Sequence, residues 1–163
     1  MSVRWRCCAR RPPPTSCARP ARTRRSSRTS TRSRMPAKFT VRVEARFEAA
    51  HFLREYRGIS EPLHGHSYKV EADLIARGGG LDADAIAVDF VSAKKKLETL
   101  AKKLDYGCIN DVPPFTEVNP SAENIAEWFA RELQRAVDDE NALVTSITIW
   151  EGPVNSVKFQ PFP

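Results

Sequence analysis

Two neighbouring stretches decide the fold of this chain: Phe47-Glu-Ala-Ala-His51 and Glu61-Pro-Leu-His64-Gly-His66-Ser-Tyr68. They hold every histidine of the 163-residue chain within sixteen positions. The last two histidines are two residues apart, so both rings project from one face if the alternating residues 67–76 form a strand. The preceding stretch alternates in the same way and is in phase with His51. A third imidazole therefore ends the apolar face of a neighbouring strand.

Three neutral imidazoles on two adjacent strands form a ligand set for zinc that leaves a fourth position for water or substrate. That open position is typical of catalytic zinc sites. The spacing of His51, His64 and His66 therefore predicts a metal site. The alternative interpretation is that the two strand-end histidines are solvated loop residues and that His51 is a hydrogen-bonded core histidine.

The composition divides the chain at Met35. Residues 1–34 contain eleven arginines but no lysine and no acidic residue, whereas residues 35–163 contain fifteen basic and twenty acidic side chains. The net charge of +6 therefore comes from the tail, and the acidic excess of the body opposes contacts with nucleic-acid phosphates. The length of residues 35–163 supports one domain with a sizeable core.

The arginine-rich tail, residues 1–34, has no apolar periodicity, so we expect it to be disordered. Its composition is typical of an organellar transit peptide, and a basic arm for nucleic acid is a second interpretation. We favour a third, in which translation begins at Met35. No apolar run reaches the length of a membrane span, and a body with a single cysteine, Cys108, fits a reducing cytoplasm.

The rest of the body contains two helical patterns and two strand patterns. Asp89 is predicted to cap the first helix and Gly107 to end it, and Ser121 is predicted to cap the second helix. Residues 143–150 and 155–162 read as strands. The order strand, strand, helix, helix, strand, strand predicts an α+β fold: a four-stranded antiparallel sheet with both helices on one face. The predicted apolar helix faces consist of Phe90, Ala93, Leu97, Leu100, Ala101 and Leu104, and of Ala122, Ile125, Phe129, Leu133 and Ala136.

A carboxylate at the end of an apolar row is the second unusual feature. Glu151 follows Thr145, Ile147 and Ile149 in alternation, so its side chain shares their face of the strand. An exposed glutamate at a strand end is the simpler interpretation of this residue on its own.

A set of seven motifs, in this order, resembles the 6-pyruvoyl- and 6-carboxytetrahydropterin synthase family over residues 39–159. These motifs are Phe47-Glu-Ala-Ala-His51, Leu63-His-Gly-His66, Val88-Asp-Phe90, Leu104-Asp105, Asn110-Asp111, Asn119-Pro-Ser-Ala-Glu-Asn124 and Glu151. The resemblance implies a tunnelling fold, in which the sheets of three subunits join into a barrel and two such rings stack as a homohexamer. It also implies that the pocket lies at a subunit interface.

The resemblance further implies a lyase that binds one Zn²⁺ per subunit and acts on 7,8-dihydroneopterin triphosphate. By motif position His51, His64 and His66 would be the zinc ligands, and Glu151 would anchor the pterin. An ionised carboxylate offers two acceptors to the adjacent 2-amino and N3–H donors of the ring. The product and its pathway, whether queuosine, biopterin or folate, stay open.

The chain departs from the family at the general acid and base positions. Ser60 stands where the family usually has a cysteine, and Tyr106 follows Leu104-Asp105 where the family usually has a histidine. The usual relay of cysteine, aspartate and histidine therefore cannot operate. Glu61, three residues before His64, matches the catalytic glutamate of a subgroup that cleaves the side chain to 6-hydroxymethyl-dihydropterin.

We therefore expect Glu61 to accept a proton from a substrate hydroxyl held by the metal. Asp105 and Tyr106 would assist the transfer, or Tyr106 would be only a packed ring. Cys108 is predicted to be a buried structural thiol rather than a displaced nucleophile. Two alternatives to the synthase reaction stay open: the glutamate-based cleavage for folate synthesis, and pterin binding without catalysis. The presence of Glu61 favours an enzyme.

Overall fold

The computed structural model describes residues 38–161, and the predicted disordered tail at residues 1–34 lies outside them. There are two α-helices, α1 (Phe90–Ala101) and α2 (Ala122–Val137), and two short 3₁₀ helices, Ile109–Asp111 and Asp138–Glu140. The five strands lie in the spatial order β3-β1-β2-β4-β5. Their bounds are β1 (Val41–His51), β2 (His64–Ala76), β3 (Gly107–Cys108), β4 (Ala142–Glu151) and β5 (Asn155–Phe159).

This architecture confirms the predicted α+β fold, but the sheet has one strand more than predicted and is mixed rather than antiparallel. β3 pairs in parallel with Ala49 and Ala50 of β1, whereas the pairs β1–β2, β2–β4 and β4–β5 are antiparallel. A strand of two residues is too short to show an alternating pattern. Its pairing with β1 also depends on residues far away in the sequence, so sequence periodicity could not reveal it.

One face of the sheet is apolar and packs against both helices. α1 contacts β1, and α2 contacts β4 and β5. The opposite face carries charged side chains such as Arg42, Glu44 and Lys69, as the period of two in a strand requires. The core is one cluster of buried side chains, which includes Val43, Ala45, Phe47, Val70, Ala72, Leu74, Leu97, Ile125, Phe129, Leu133, Ile147 and Ile149.

The helix starts are confirmed, but the end of α1 is not. Asp89 accepts hydrogen bonds from the backbone N–H groups of Val91 and Ser92, and Ser121 Oγ accepts one from Asn124 N. α1 ends at Ala101, and Gly107 belongs to β3. Phe90, predicted on the apolar face, is the first helical residue and is 61% exposed. Among residues 38–161, no helix is both long and apolar enough to cross a bilayer.

A register shift in β4 corrects the predicted position of Thr145. Leu74 pairs with Val144 and Asp73 with Ser146, so Thr145 bulges between two ladder positions. Val144 therefore turns into the core, while Thr145 Oγ1 donates to the carbonyl of Asp73. Beyond the bulge Ile147, Ile149 and Glu151 keep the predicted phase, which directs Glu151 to the same face as the histidines.

A buried carboxylate stabilises the sheet next to this bulge. Asp73 is 8% exposed, and its two oxygens accept hydrogen bonds from Arg42 Nε at 2.7 Å and Arg42 Nη2 at 2.8 Å. Ser146 Oγ donates a third bond at 2.9 Å. The Arg42 guanidinium lowers the pKa of Asp73, and Ser146 adds to this effect although burial opposes it. The carboxylate is therefore ionised in the folded chain at neutral pH.

We expect Asp73→Asn to destabilise the protein in a pH-dependent way. Because the folded-state pKa of Asp73 lies below the unfolded-state value of about 4, its stabilisation is present above that pH and is lost as the pH falls through the folded-state pKa. Urea unfolding should show a loss of about 1–3 kcal/mol at pH 7 and a smaller loss at pH 3, which lies below the unfolded-state pKa of about 4. Glu44→Gln, an exposed change on the same face, is the control; equal losses for Asp73→Asn at both pH values would contradict the assignment.

Candidate metal centre and active site

The pairing of β1 with β2 brings the three histidines together. His51 lies directly opposite His64, and His66 lies opposite Ala49. The ring centroids are 4.7 Å apart for His51 and His64, 5.4 Å for His51 and His66, and 4.9 Å for His64 and His66. One nitrogen of each ring lies within 4.8 Å of the other two. The pairing of the two strands thus brings the three predicted metal ligands close to one another.

Backbone carbonyls orient two of the three imidazoles. His51 Nδ1 lies 2.8 Å from the carbonyl of Pro120, and His64 Nδ1 lies 2.9 Å from the carbonyl of Pro62. A carbonyl oxygen only accepts, so each Nδ1 carries a hydrogen, and in the neutral imidazole Nε2 is the nitrogen with the lone pair. A metal-binding histidine characteristically donates its second ring nitrogen in this way.

The burial of His51 is a further observation that fits a divalent metal ion at the three histidines. His51 is 4% exposed, and its Nε2 is buried without a hydrogen-bond partner. A buried polar atom without a partner carries a desolvation cost, which a bound cation would remove. Imidazole nitrogens suit zinc and related transition metals. The described chain thus offers a three-imidazole site with the donor type that zinc accepts.

Glu151 lies beside this cluster. Its Oε1 accepts a hydrogen bond from the Tyr68 hydroxyl at 3.0 Å and lies 3.2 Å from His51 Nε2 and 3.7 Å from His66 Nε2. The 3.2 Å contact does not have hydrogen-bond geometry. The neighbouring His51 ring lowers the pKa of Glu151, and the Tyr68 hydroxyl adds to this against the opposing effect of partial burial. Burial and the Glu151 carboxylate raise the pKa of Tyr68, so its hydroxyl keeps its proton.

A cavity of about 270 Å³ opens onto the cluster. Glu61 lines it beside His51 and His64. The loop that carries Glu61 is tied to the segment after β1, because Glu61 N donates to the Leu53 carbonyl at 3.0 Å and Glu61 Oε2 accepts from Leu53 N at 3.3 Å. The structure therefore brings together five of the predicted site residues. They are His51, His64, His66, Glu61 and Glu151.

Asp105 and Tyr106 lie elsewhere. Asp105 Oδ1 accepts a hydrogen bond from Glu48 N at 2.9 Å, and Tyr106 N donates to the Glu48 carbonyl at 2.6 Å, so both are fixed to the outer edge of β1. The Tyr106 side chain is 87% exposed, which makes the packed-ring interpretation wrong for the described chain. Neither residue lines the cavity beside His51 and Glu61 in the part of the chain that the structure describes.

Neither Cys108 nor Ser60 lines the cavity beside His51. Cys108 is half-buried rather than buried, and its Sγ lies 3.8 Å from Asn110 Oδ1. It lines a second recess together with Tyr106 and one edge of His66. Ser60, at the family's usual cysteine position, is exposed and its Oγ accepts from Glu55 N at 3.4 Å.

Two asparagine side chains, which the sequence did not identify as site residues, hold the segment that follows His51. Asn110 Oδ1 accepts from Phe52 N at 3.0 Å, and its Nδ2 donates to the Phe52 carbonyl at 2.9 Å. Asn119 binds Arg54 in the same way, at 2.8 and 2.9 Å. Each asparagine side chain thus satisfies the backbone N–H and C=O of one residue, as the backbone of a neighbouring strand would. These residues occur in the quoted motifs, but their partners lie 58 and 65 positions away and could not be read from the sequence.

The fold and the site together define an α+β protein with a three-histidine centre beside a small-molecule cavity. Residues 40–161, nearly all of the described chain, match the model of the family described as 6-pyruvoyl tetrahydropterin synthase. The chain belongs to this family of pterin-processing lyases. The resemblance predicted from the seven motifs is thereby confirmed.

Individual relatives agree with this assignment. The chain is 24% identical to the 6-carboxy-5,6,7,8-tetrahydropterin synthase of Haemophilus influenzae over 144 residues, which cover 75% of this chain and 99% of that protein. It is 34% identical over 98 residues to the enzyme of the same name from Synechocystis sp., covering 57% of this chain and 73% of that one. Both relatives are carboxytetrahydropterin synthases by name, whereas the family description names the pyruvoyl reaction.

Solved structures show the same fold. The 6-pyruvoyl tetrahydropterin synthase of Caenorhabditis elegans superposes with a TM-score of 0.67 at 21% identity, covering 77% of this chain and 97% of that one. The Plasmodium vivax 6-pyruvoyltetrahydropterin synthase superposes with a TM-score of 0.61 at 21% identity, covering 76% and 97%. That structure is of a catalytic-residue mutant in which alanine replaces a glutamate.

We expect the asparagine clamps to control the mobility of the segment beside His51. Asn110→Ala should raise the hydrogen-exchange rate of the Phe52 amide, and Asn119→Ala that of the Arg54 amide, because each amide loses its side-chain acceptor. Asn119→Asp keeps an oxygen for Arg54 N and should leave that amide more protected than Asn119→Ala does. Unchanged exchange in both alanine variants would show that the clamps do not hold the segment.

Proposed function

We propose that this protein is a zinc-dependent lyase that acts on 7,8-dihydroneopterin triphosphate and forms a 6-carboxy- or 6-pyruvoyl-tetrahydropterin. The observation that carries the proposal is the convergence of His51, His64 and His66 beside a cavity that also contains Glu61 and Glu151. Family membership supports a pterin substrate, and the names of the relatives from Haemophilus influenzae and Synechocystis sp. support the carboxy product.

Glu151 is the proposed anchor of the pterin ring. Its lowered pKa keeps the carboxylate ionised at neutral pH, so it can accept from the 2-amino group and from N3–H. Tyr68, which lies opposite Glu151 on β2, holds the carboxylate by one hydrogen bond. The cavity, at about 270 Å³, is at the small end for a ligand site, which suits a pocket that a neighbouring copy completes.

Glu61 is the proposed general base. A bound zinc ion would polarise the side-chain oxygens of the substrate and make nearby O–H and C–H protons more acidic. Glu61 lines the cavity together with His51 and His64, where its carboxylate can accept such a proton. Leu53 N donates to Glu61 Oε2, and the bond from Glu61 N to the Leu53 carbonyl fixes the backbone of the loop.

The proposed roles of Asp105 and Tyr106 place them in the site of a neighbouring copy of the chain. Both are fixed at the β1 edge, outside the cavity of their own chain. Within the described residues, the outer edge of β5 has no partner strand, and β3 covers only Ala49 and Ala50 of β1. We propose that these open edges join into the family's barrel and homohexamer, where Asp105 and Tyr106 assist proton transfer in a neighbouring site.

A glutamate-based cleavage to 6-hydroxymethyl-dihydropterin is the second candidate. The observation in its favour is that Ser60, at the usual cysteine position, is exposed, whereas Glu61 lines the cavity. A glutamate also acts as a catalytic residue in the Plasmodium vivax relative. The two candidates share the substrate and the base and differ in which substrate bond breaks after the proton leaves.

The product distinguishes the candidates. We expect the full-length chain, loaded with zinc and given 7,8-dihydroneopterin triphosphate, to form a 6-carboxy or 6-pyruvoyl product by mass spectrometry, and to lose activity after chelation. A 6-hydroxymethyl product would establish the second candidate instead. Unchanged substrate, with zinc and pterin both bound, would contradict both and leave a pterin-binding protein.

Glu61→Gln tests the base. The amide keeps the size of the side chain but cannot accept a proton, so kcat should fall by about 10²- to 10⁴-fold while the zinc content stays that of the wild type. Glu55→Gln, an exposed change in the same loop, is the matched control and should retain full activity. An active, zinc-loaded Glu61→Gln variant would remove Glu61 from the mechanism.

A further inference from the structure

The Glu151 carboxylate is turned toward the imidazoles, although the pterin role requires it to face a ligand. Its Oε1 lies 3.2 Å from His51 Nε2 and 3.7 Å from His66 Nε2. His51 Nδ1 donates to the Pro120 carbonyl, and the buried Nε2 has no hydrogen-bond partner although this carboxylate oxygen lies beside it. A metal ion beside both atoms would satisfy the nitrogen and the carboxylate together.

The distances match those between donors bound to one metal ion. Zinc binds imidazole nitrogen and carboxylate oxygen at about 2.0–2.2 Å in a tetrahedron, so two such donors lie about 3.3 Å apart. The separations of Oε1 from the two Nε2 atoms lie on either side of this value. The carboxylate oxygen is therefore within reach of a metal ion that His51 and His66 would hold.

Tyr68 fixes this arrangement. Its side chain is 1% exposed, and its ring stacks on Phe47 with a centroid distance of 4.8 Å and an interplanar angle of 10°. The hydroxyl donates to Glu151 Oε1 at 3.0 Å, so it holds the same oxygen that approaches the imidazoles. Metal-binding carboxylates are commonly oriented by such hydrogen bonds.

We propose that Glu151 is the fourth protein donor of the metal centre while substrate is absent, and that Tyr68 is the positioning residue that holds it there. The proposal rests on the proposed function, because it takes the metal and the pterin from it. Glu151 then has two successive partners, and a pterin that pairs with its carboxylate withdraws it from the metal. Substrate binding would thus open a coordination position at the moment when the substrate oxygens arrive.

Metal affinity and the visible spectrum of the Co²⁺-loaded full-length protein test this proposal. Glu151→Gln should weaken Zn²⁺ binding by at least about tenfold in chelator competition, and Tyr68→Phe, which keeps the packed ring, should weaken it by a smaller factor. Both variants should change the Co²⁺ absorption spectrum. Neopterin added to the wild-type Co²⁺ protein should shift its spectrum toward that of Glu151→Gln.

The matched control is Glu123→Gln, which removes an exposed carboxylate that lines the same cavity without contacting an imidazole. It should leave both the affinity and the spectrum unchanged. Wild-type affinity in Glu151→Gln, or an equal loss in Glu123→Gln, would overturn the role of Glu151. A wild-type chain that binds no divalent metal would instead overturn the proposed function itself.

Discussion

The antiparallel register of β1 and β2 is the constraint on which the rest of the site depends. It sets His51 opposite His64 and, two positions further, brings His66 to the same face. Because side chains alternate with a period of two, a shift by one residue would move His51 to the charged face and Phe47 out of the core. The burial of the β1 apolar row therefore enforces the geometry of the imidazole cluster. The same register therefore determines both the stability of the core and the positions of the three imidazoles.

Much of this could be predicted because it depends on local patterns. The alternation of the strands, the caps at Asp89 and Ser121 and the phase of Glu151 are all set by nearby residues. What could not be predicted depends on pairings between distant residues. β3 exists only because Gly107 and Cys108 meet β1, and Thr145 leaves its predicted row because Asp73 and Leu74 shift the register. Likewise, no local pattern shows that Tyr68 reaches Glu151.

The chain differs from the family's usual motifs at two positions beside the site. Ser60 stands in place of a cysteine and Tyr106 in place of a histidine, while Glu61 and Glu151 supply carboxylates to the cavity. Glu61 and Glu151 have different hydrogen-bond partners: Glu61 accepts from a backbone amide, and Glu151 accepts from the buried Tyr68 hydroxyl. An ionised carboxylate with one hydrogen bond keeps further lone pairs for a substrate. Two carboxylates in one pocket can thus serve different partners.

The contacts that fix His51 have a consequence for biosynthesis of the chain. All three histidines are complete once residue 66 has been made, but the carbonyl that orients His51 belongs to Pro120, and the asparagine that clamps Arg54 is Asn119. While Asn119 and Pro120 of a nascent chain are still inside the ribosome, they cannot orient the His51 ring or hold the segment after it. In such a chain the three imidazoles are present but His51 is not yet oriented. The arrangement that a metal ion would meet is complete only after the first hairpin has packed against the segment before α2.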